Sequence, residues 1–172
     1  KTGVVGLLGG LKKGKTIALR ADMDGLPIVD NKETDYRSTV KGKMHACGHD
    51  VHMTILLGTA KVLKSMEDQL KGNVKLLFQP AEETFGGAKP MIAEGVLINP
   101  RVDVVLGLHV SPEINVGEIG VKYGQMNAAS DTIKINIYGK SAHGAHPDQG
   151  ADAIVIAGQV LSSLQTIVSR NV

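Results

Sequence analysis

Three short apolar runs, "TIALRADM", "VKLLFQPAE" and "DVVLGLHV", each end in polar residues, and this limits the folds open to a chain of 172 residues. Each run is bounded by turn residues and separated from the next by a helix-like stretch, the pattern of strands in a parallel sheet buried on both faces. Between the first two, "DVHMTILLGTAKVLKSMEDQL" repeats Ile55, Leu56, Ala60, Leu63, Met66 and Leu70 at three-to-four spacing. That spacing predicts a helix, with Asp50 as its N-cap. A shorter helix is predicted in "AKPMIAEGVL", with Pro90 in its first turn and Gly95 at its break. The fold class is therefore α/β, a mainly parallel sheet with flanking helices. An apolar share of 42% with 21 glycines and no tryptophan suits buried strands joined by tight turns.

The pattern changes near Val121. In "SDTIKINIYGK", Ile133, Ile135 and Ile137 alternate with Lys134, Asn136 and Tyr138, which predicts a strand with one wet face. After a loop, "DAIVIAGQVLSSLQTIVSR" places Ile156, Val160, Leu164 and Ile167 on one helical face. One strand and one helix are too little to fold alone. The expected organisation is thus a main domain over 1–121 and the opening of a second, α+β domain over 122–172.

Nineteen Lys and Arg stand against seventeen Asp and Glu, and the basic residues are scattered rather than gathered in a stripe, so no nucleic-acid partner is expected. No apolar run reaches the roughly 18 residues of a membrane span. The opening "KTGVVGLLGG" lacks a small-residue cleavage site behind a long apolar region. A cytoplasmic protein without membrane contact is the expectation.

Chemistry concentrates in "MHACGHDVH", which packs three of the six histidines and the single cysteine into residues 44–52. In open α/β sheets the functional crevice lies beyond the carboxyl ends of the strands. Asp22 and Asp24 follow the first run, Glu82 and Glu83 the second, and His109 ends the third. Thiolate, imidazole and carboxylate together form the ligand set of zinc and neighbouring first-row metals. Residues two apart in extended backbone project to the same side, so Cys47 and His49 can grip one metal or two adjacent ones, with Gly48 allowing a sharp turn. Taken singly, each has a plainer reading. Cys47 could be a small buried hydrophobe, His109 a hydrogen-bonded core histidine, and the two glutamates a solvated loop. Adjacent side chains on an extended loop point apart, so one glutamate could ligate metal while the other faces substrate as general base. Asp22 and Asp50 are expected to orient ligand imidazoles, with helix capping the alternative for Asp50. His52 is read as structural.

Taken together, "ALRADMDGLPI", "MHACGHDVH", "LLFQPAEETFGGA", "VLGLHV" and "YGKSAHGAHP" resemble the amidohydrolase branch of the metallopeptidase family that includes aminoacylases, bacterial carboxypeptidases, hippurate hydrolases and plant auxin-conjugate hydrolases. The five blocks keep the family's order across essentially the whole chain. The resemblance implies a two-metal catalytic domain carrying an inserted lid that also forms a dimer interface. By position it implies Cys47, His49, Glu83 and His109 as metal ligands and Glu82 as general base. It also implies that His143 is a lid histidine reaching the neighbouring subunit's site, while His146 falls where the family varies. The wider family has a His and an Asp where this chain reads Arg20, Ala21, Asp22; the branch it resembles lacks that His and uses the cysteine instead. Gly25 replaces the usual Ala and Val51 the usual Gly. Family members run to roughly twice this length, so the chain corresponds to the N-terminal part. The completed lid, a final strand and one more metal-binding His would follow.

The implied function is metal-dependent hydrolysis of the amide bond of N-acyl amino acids, releasing a carboxylic acid and a free amino acid. Two divalent ions, zinc, manganese, cobalt or nickel, would serve each subunit of a homodimer. The alternatives are a metallo-carboxypeptidase or dipeptidase of the same family, a thiol hydrolase with Cys47 as nucleophile, and a metal- or peptide-binding relative without turnover.

Overall fold

The computed structural model describes residues 2–9, 14–84, 86–127, 129 and 131–171. It divides into two compact units, Lys1–Ile119 and Gly120–Val172.

The first unit is α/β. Its strands are β1 (Val4–Leu8), β2 (Thr16–Asp22), β3 (Asn73–Gln79) and β4 (Val104–Gly107), in the order β1-β3-β2-β4. β2 runs parallel to both β3 and β4, with Asp22 level with Gln79 and Arg20 level with Gly107. β1 is antiparallel to β3, which makes the sheet mixed. Helix α1 (His49–Ser65) connects β2 to β3 and packs on one face. There Leu56 meets Leu8, Ala21 and Leu76, with Leu19, Ala60, Leu63, Leu70, Val74 and Phe78 around them. On a helix, positions 49, 52, 56, 60 and 63 share a face, so the stripe that buries Leu56 also buries His49 and His52. Alternation along β3 sends Lys75 to the opposite face, where its buried amine donates to the Val96 carbonyl at 2.7 Å.

Several expectations need correction. The N-cap of α1 is Gly48, in the left-handed region at φ 82°, and not Asp50, which lies exposed in the first turn. The backbone of "ACGH" turns so sharply that the helix begins before the aspartate can cap it, and the Gly48 carbonyl accepts from the N–H groups of Val51 and His52. Ile55 is exposed rather than part of the packed face. β4 is not buried on both faces; all four of its residues are exposed, because it is an outer strand. Strand β1 has no counterpart among the expected elements, since "VVGLL" carries no alternation and is interrupted by Gly6. The shorter helix forms as α2 (Ala88–Ala93) and stops before Gly95, whose φ is 84°.

The second unit holds α3 (Ala153–Asn171). The strand expected over 130–140 does not form across 131–139, and Ser130 lies outside the described residues. The pairing in this segment is a single antiparallel bridge from Lys140 to Ala151. A strand exists only where a neighbour takes up its backbone groups. Among the described residues of this unit no second run supplies that neighbour, and Ile133 and Ile135 are exposed. The expected α3 face is likewise exposed at Ile156, Leu164 and Ile167.

Candidate metal centre

Three parallel connections deliver the polar cluster to one end of the sheet. Asp22 and Asp24 continue from β2, Glu82 and Glu83 follow β3, and His109 lies two residues past β4. The loop carrying Cys47 is pinned by reciprocal backbone bonds between Leu26 and Met44, at 2.8 and 3.1 Å, and ends in the Gly48 turn. A Cβ on Gly48 would lie 2.4 Å from Val110 Cγ2, so only glycine lets this loop close against the segment after β4.

The imidazoles are set by main-chain carbonyls. His49 Nδ1 lies 3.0 Å from the Asp24 carbonyl and 3.2 Å from Asp24 Oδ1. A carbonyl only accepts, so Nδ1 carries the proton and Nε2 is left as a bare lone pair. The same holds at His109, whose Nδ1–H donates to the Val110 carbonyl at 2.7 Å while Nε2 faces Cys47 Sγ at 3.5 Å. His49 Nε2 is buried without a hydrogen-bond partner, as is Glu83 Oε1, and the two are 3.7 Å apart. Two buried acceptors left facing each other are costly unless a cation lies between them.

Donor atoms of Cys47, His49 and His109 all lie within 4.8 Å of one another, and so do those of His49, Glu82 and Glu83. His49 is common to both groups; its one bare Nε2 can bind a single ion, so the two groups together offer donors to two adjacent ions of which His49 serves one. The donor set of sulfur, imidazole nitrogen and carboxylate fits first-row divalent metals. Glu82 and Glu83 do not point apart as expected; both reach the His49 group. They differ in exposure, Glu82 being exposed and Glu83 half-buried.

Electrostatics separate the thiol from a nucleophile. Burial, the hydrogen bond with Glu83 and the charges of Glu83, Glu82 and Asp22 push the Cys47 thiol up to about 11. A catalytic thiol needs an electropositive setting that lowers its pKa, and this one is surrounded by carboxylates. The surrounding anions that suppress thiolate in the free protein are the ones a cation would neutralise.

Asp22 is almost fully buried and accepts from His52 Nδ1–H at 2.6 Å and Arg20 Nη1–H at 2.7 Å. Burial opposes its charge, but the His52 hydrogen bond, the Arg20 charge and the neighbouring His49 and His52 rings outweigh that, so its carboxyl titrates below the ordinary range. Asp24 behaves similarly. Burial works against ionisation and is outweighed by backbone N–H groups of Glu83, Glu82 and Asp24 itself, followed by His49. Its Oδ2 accepts the Glu83 N–H at 3.0 Å, which ties the acid pair to the His49 ring. Ala81, just before that pair, holds a left-handed φ of 54° and its carbonyl accepts the Gly87 N–H at 3.0 Å.

Of the residues expected to orient imidazoles, Asp22 bonds His52 and lies 3.6 Å from His49 Nε2. Asp50 makes no side-chain bond to an imidazole among the described residues. Sequence reasoning gave Asp24 no role, although "ADMD" repeats an acid at the two-residue spacing used for Cys47 and His49. His143 belongs to the second unit, where its Nδ1 accepts the Ala145 N–H at 3.1 Å and its ring lies 5.9 Å from that of His146.

A family model described as peptidase family M20/M25/M40 matches residues 18–168. The N-acetyl-L-cysteine deacetylase of Bacillus subtilis strain 168 is 51% identical over 172 residues, covering 100% of this chain and 41% of that protein. The N-acyl-L-amino acid amidohydrolase of Geobacillus stearothermophilus is 48% identical over 173 residues, covering 100% of this chain and 46% of that protein. A crystal structure of a Bacillus subtilis protein described as a dinuclear metal binding peptidase from the M20 family is similar at a TM-score of 0.67 and 45% identity. That match covers 72% of this chain and 34% of the other. The chain thus spans less than half the length of these curated relatives.

Proposed function

The chain belongs to peptidase family M20/M25/M40, and on that premise we propose that the whole protein is a metal-dependent amidohydrolase of N-acyl amino acids. The observation that carries the reading is the pair of bare Nε2 atoms, on His49 and His109, turned toward Glu83 Oε1 and Cys47 Sγ. Cys47, His49, Glu83 and His109 would hold two divalent ions, of zinc, manganese, cobalt or nickel. Such ions, when bound, acidify a water and polarise the scissile carbonyl.

The chain's own groups do the rest. Glu82, the more exposed acid, takes a proton from the attacking water as oxygen bonds to the carbonyl carbon. It then gives that proton to the nitrogen as the C–N bond breaks, releasing a carboxylic acid and a free amino acid. His143, whose Nδ1 is an acceptor, carries its proton on Nε2 and can donate it to the oxyanion that forms between those steps.

In this reading residues 1–121 are the N-terminal part of a catalytic domain and 122–172 begin a lid through which the protein forms a homodimer. His143 would then serve the partner subunit's site. Mixing inactive His143→Ala and Glu82→Gln proteins under subunit exchange should restore about a quarter of wild-type activity, because half the dimers are mixed and each holds one intact site. No recovery despite demonstrated exchange would mean that His143 acts within its own subunit or not at all. A cytoplasmic location fits an unpaired Cys47 that must stay reduced to bind metal. Among the described residues no helix is long and apolar enough to cross a membrane.

The deciding experiment is elemental analysis of the full-length protein together with a hydrolysis screen across N-acyl amino acids and dipeptides. Two ions per subunit and chelator-sensitive release of amino acid support the reading. Hydrolysis that survives chelation but is abolished by alkylation would replace it with thiol chemistry.

A further inference from the structure

His52 has no part in the mechanism above, yet its two ring nitrogens are committed to opposite sides of the cluster. It lies one helical turn after His49 and is 2% exposed. Its Nε2 accepts the backbone N–H of Val110 at 3.0 Å. Only a bare nitrogen accepts an N–H, so the ring proton is on Nδ1, and it is donated to Asp22 Oδ1 at 2.6 Å. The other oxygen of Asp22 takes the Arg20 guanidinium, whose Nε–H donates to Gln79 Oε1 at 2.9 Å. A continuous chain of bonds therefore runs from the end of β3 through β2 and α1, and finishes on the backbone just past β4.

Val110 is where that chain meets the candidate ligands. Its carbonyl accepts the Nδ1–H of His109, and its side chain fills the space that a side chain on Gly48 would need. We propose that His52 is a positioning residue: by accepting the Val110 N–H it fixes the backbone that turns His109 Nε2 toward Cys47. The proposal rests on the reading of this cluster as a metal centre. A purely space-filling role is served by an apolar residue of similar volume, which would leave the Val110 N–H without its acceptor and the buried Asp22 with one fewer donor.

Two near-isosteres separate the nitrogens. His52→Gln keeps an acceptor near the Nε2 position, while His52→Asn keeps a donor near the Nδ1 position and loses the acceptor. Full-length wild type, both variants and His52→Ala would be titrated with cobalt(II), reading the thiolate-to-metal absorption band and the affinity. Metal-free thermal midpoints would be measured alongside. Outer partners of ligands typically govern affinity by about 10–100-fold. The expected result is that Asn and Ala lose affinity by about that factor and shift the band, while Gln stays within about threefold of wild type. Equal losses in Gln and Asn, losses that follow the metal-free midpoint alone, or wild-type affinity in Asn would overturn the proposal. Should neither variant fold, the imidazole nitrogen-15 shifts of the wild-type protein decide: the proton must reside on Nδ1 of His52, and finding it on Nε2 overturns the assignment. Wild-type protein that takes up no cobalt overturns the metal-centre reading and this proposal with it, whereas normal uptake with unaltered variants overturns this proposal alone.

Discussion

The histidines of the two units meet the main chain through opposite roles of Nδ1. In the first unit, His49 and His109 give their Nδ1 protons to main-chain carbonyls and present bare Nε2 atoms. In the second, His143 accepts a main-chain N–H on Nδ1 and so presents Nε2–H. The same side chain is an electron-pair donor in one region and a proton donor in the other, and a single backbone contact decides which. Burial follows the contrast only in part: His49 and His52 are buried on the face of α1 that packs on the core, His109 is exposed, and no described residue of the second unit is buried. A ligand must be held before the metal arrives, whereas a proton donor needs only to be available to the substrate.

The sharpest way to break this contrast lies with the acid pair. Glu82→Gln should lower kcat by about 10²–10⁴-fold with metal content unchanged. Glu83→Gln should lose metal, because its buried Oε1 faces a bare Nε2. Elemental analysis of both purified full-length variants checks the split, and equal metal loss would merge the two roles. His143→Ala comes next, with an expected fall in kcat of about 10²–10³-fold. KM and metal content should hardly move; loss of metal in this variant would mean that His143 acts as a ligand and that the contrast between the units is mistaken.

Gly48→Ala tests the first unit's preorganisation at smaller scale. The substitution combines a left-handed φ with a contact of 2.4 Å to Val110 Cγ2, and should cost about 1–3 kcal/mol in denaturant unfolding of metal-free protein. Pairing it with Val110→Ala should recover part of that loss, since the steric share is removed and the backbone share stays. Purely additive effects would mean the loop and the segment after β4 do not press on each other.

The smallest expected effect is acid destabilisation through Asp22. Its folded pKa is lowered from the ordinary 3.8, so its contribution to stability is fully present above that value and is lost as the pH falls through the lowered one. Urea midpoints of metal-free protein at descending pH should show a decline below about pH 4 that is shallower in Asp22→Asn. Identical slopes would show that Asp22 is not held more strongly in the folded chain than in the unfolded one.

What could be read in the sequence divides along physical lines. The runs that became β2, β3 and β4 were legible as short apolar stretches bounded by turn residues, although β4 proved exposed, and α1 was legible because burying one face imposes a three-to-four period on a helix. The cluster at the strand ends was legible because cysteine, histidine and acid together have few structural uses. Four features were not. β1, read as "VVGLL", shows no alternation and Gly6 interrupts its apolar run. The Ile133–Ile137 alternation predicts a strand, yet a ladder requires partners that a local pattern cannot supply. The N-cap went to Gly48 rather than Asp50 because a backbone turn, invisible in side-chain preferences, starts the helix two residues earlier. Asp24 and His52 act through main-chain N–H groups of Glu83 and Val110, and such contacts leave no trace in residue spacing except that His52 follows His49 by one turn.

The acceptors that orient His49 and His109 are the carbonyls of Asp24 and Val110. Every amino acid carries a carbonyl, so no point substitution at either position can delete the group that sets the ring. A lineage can drift at position 110 and keep its imidazole correctly turned, provided that the new side chain is neither proline, which would withhold the N–H from His52, nor too large for the space beside Gly48. The genetic fragility of His109 is thereby displaced from its own contact to two positions elsewhere, a glycine and a histidine in the same short loop-to-helix turn. Saturation mutagenesis of residues 48, 52 and 110 should find tolerance concentrated at the third and scarcity at the first two.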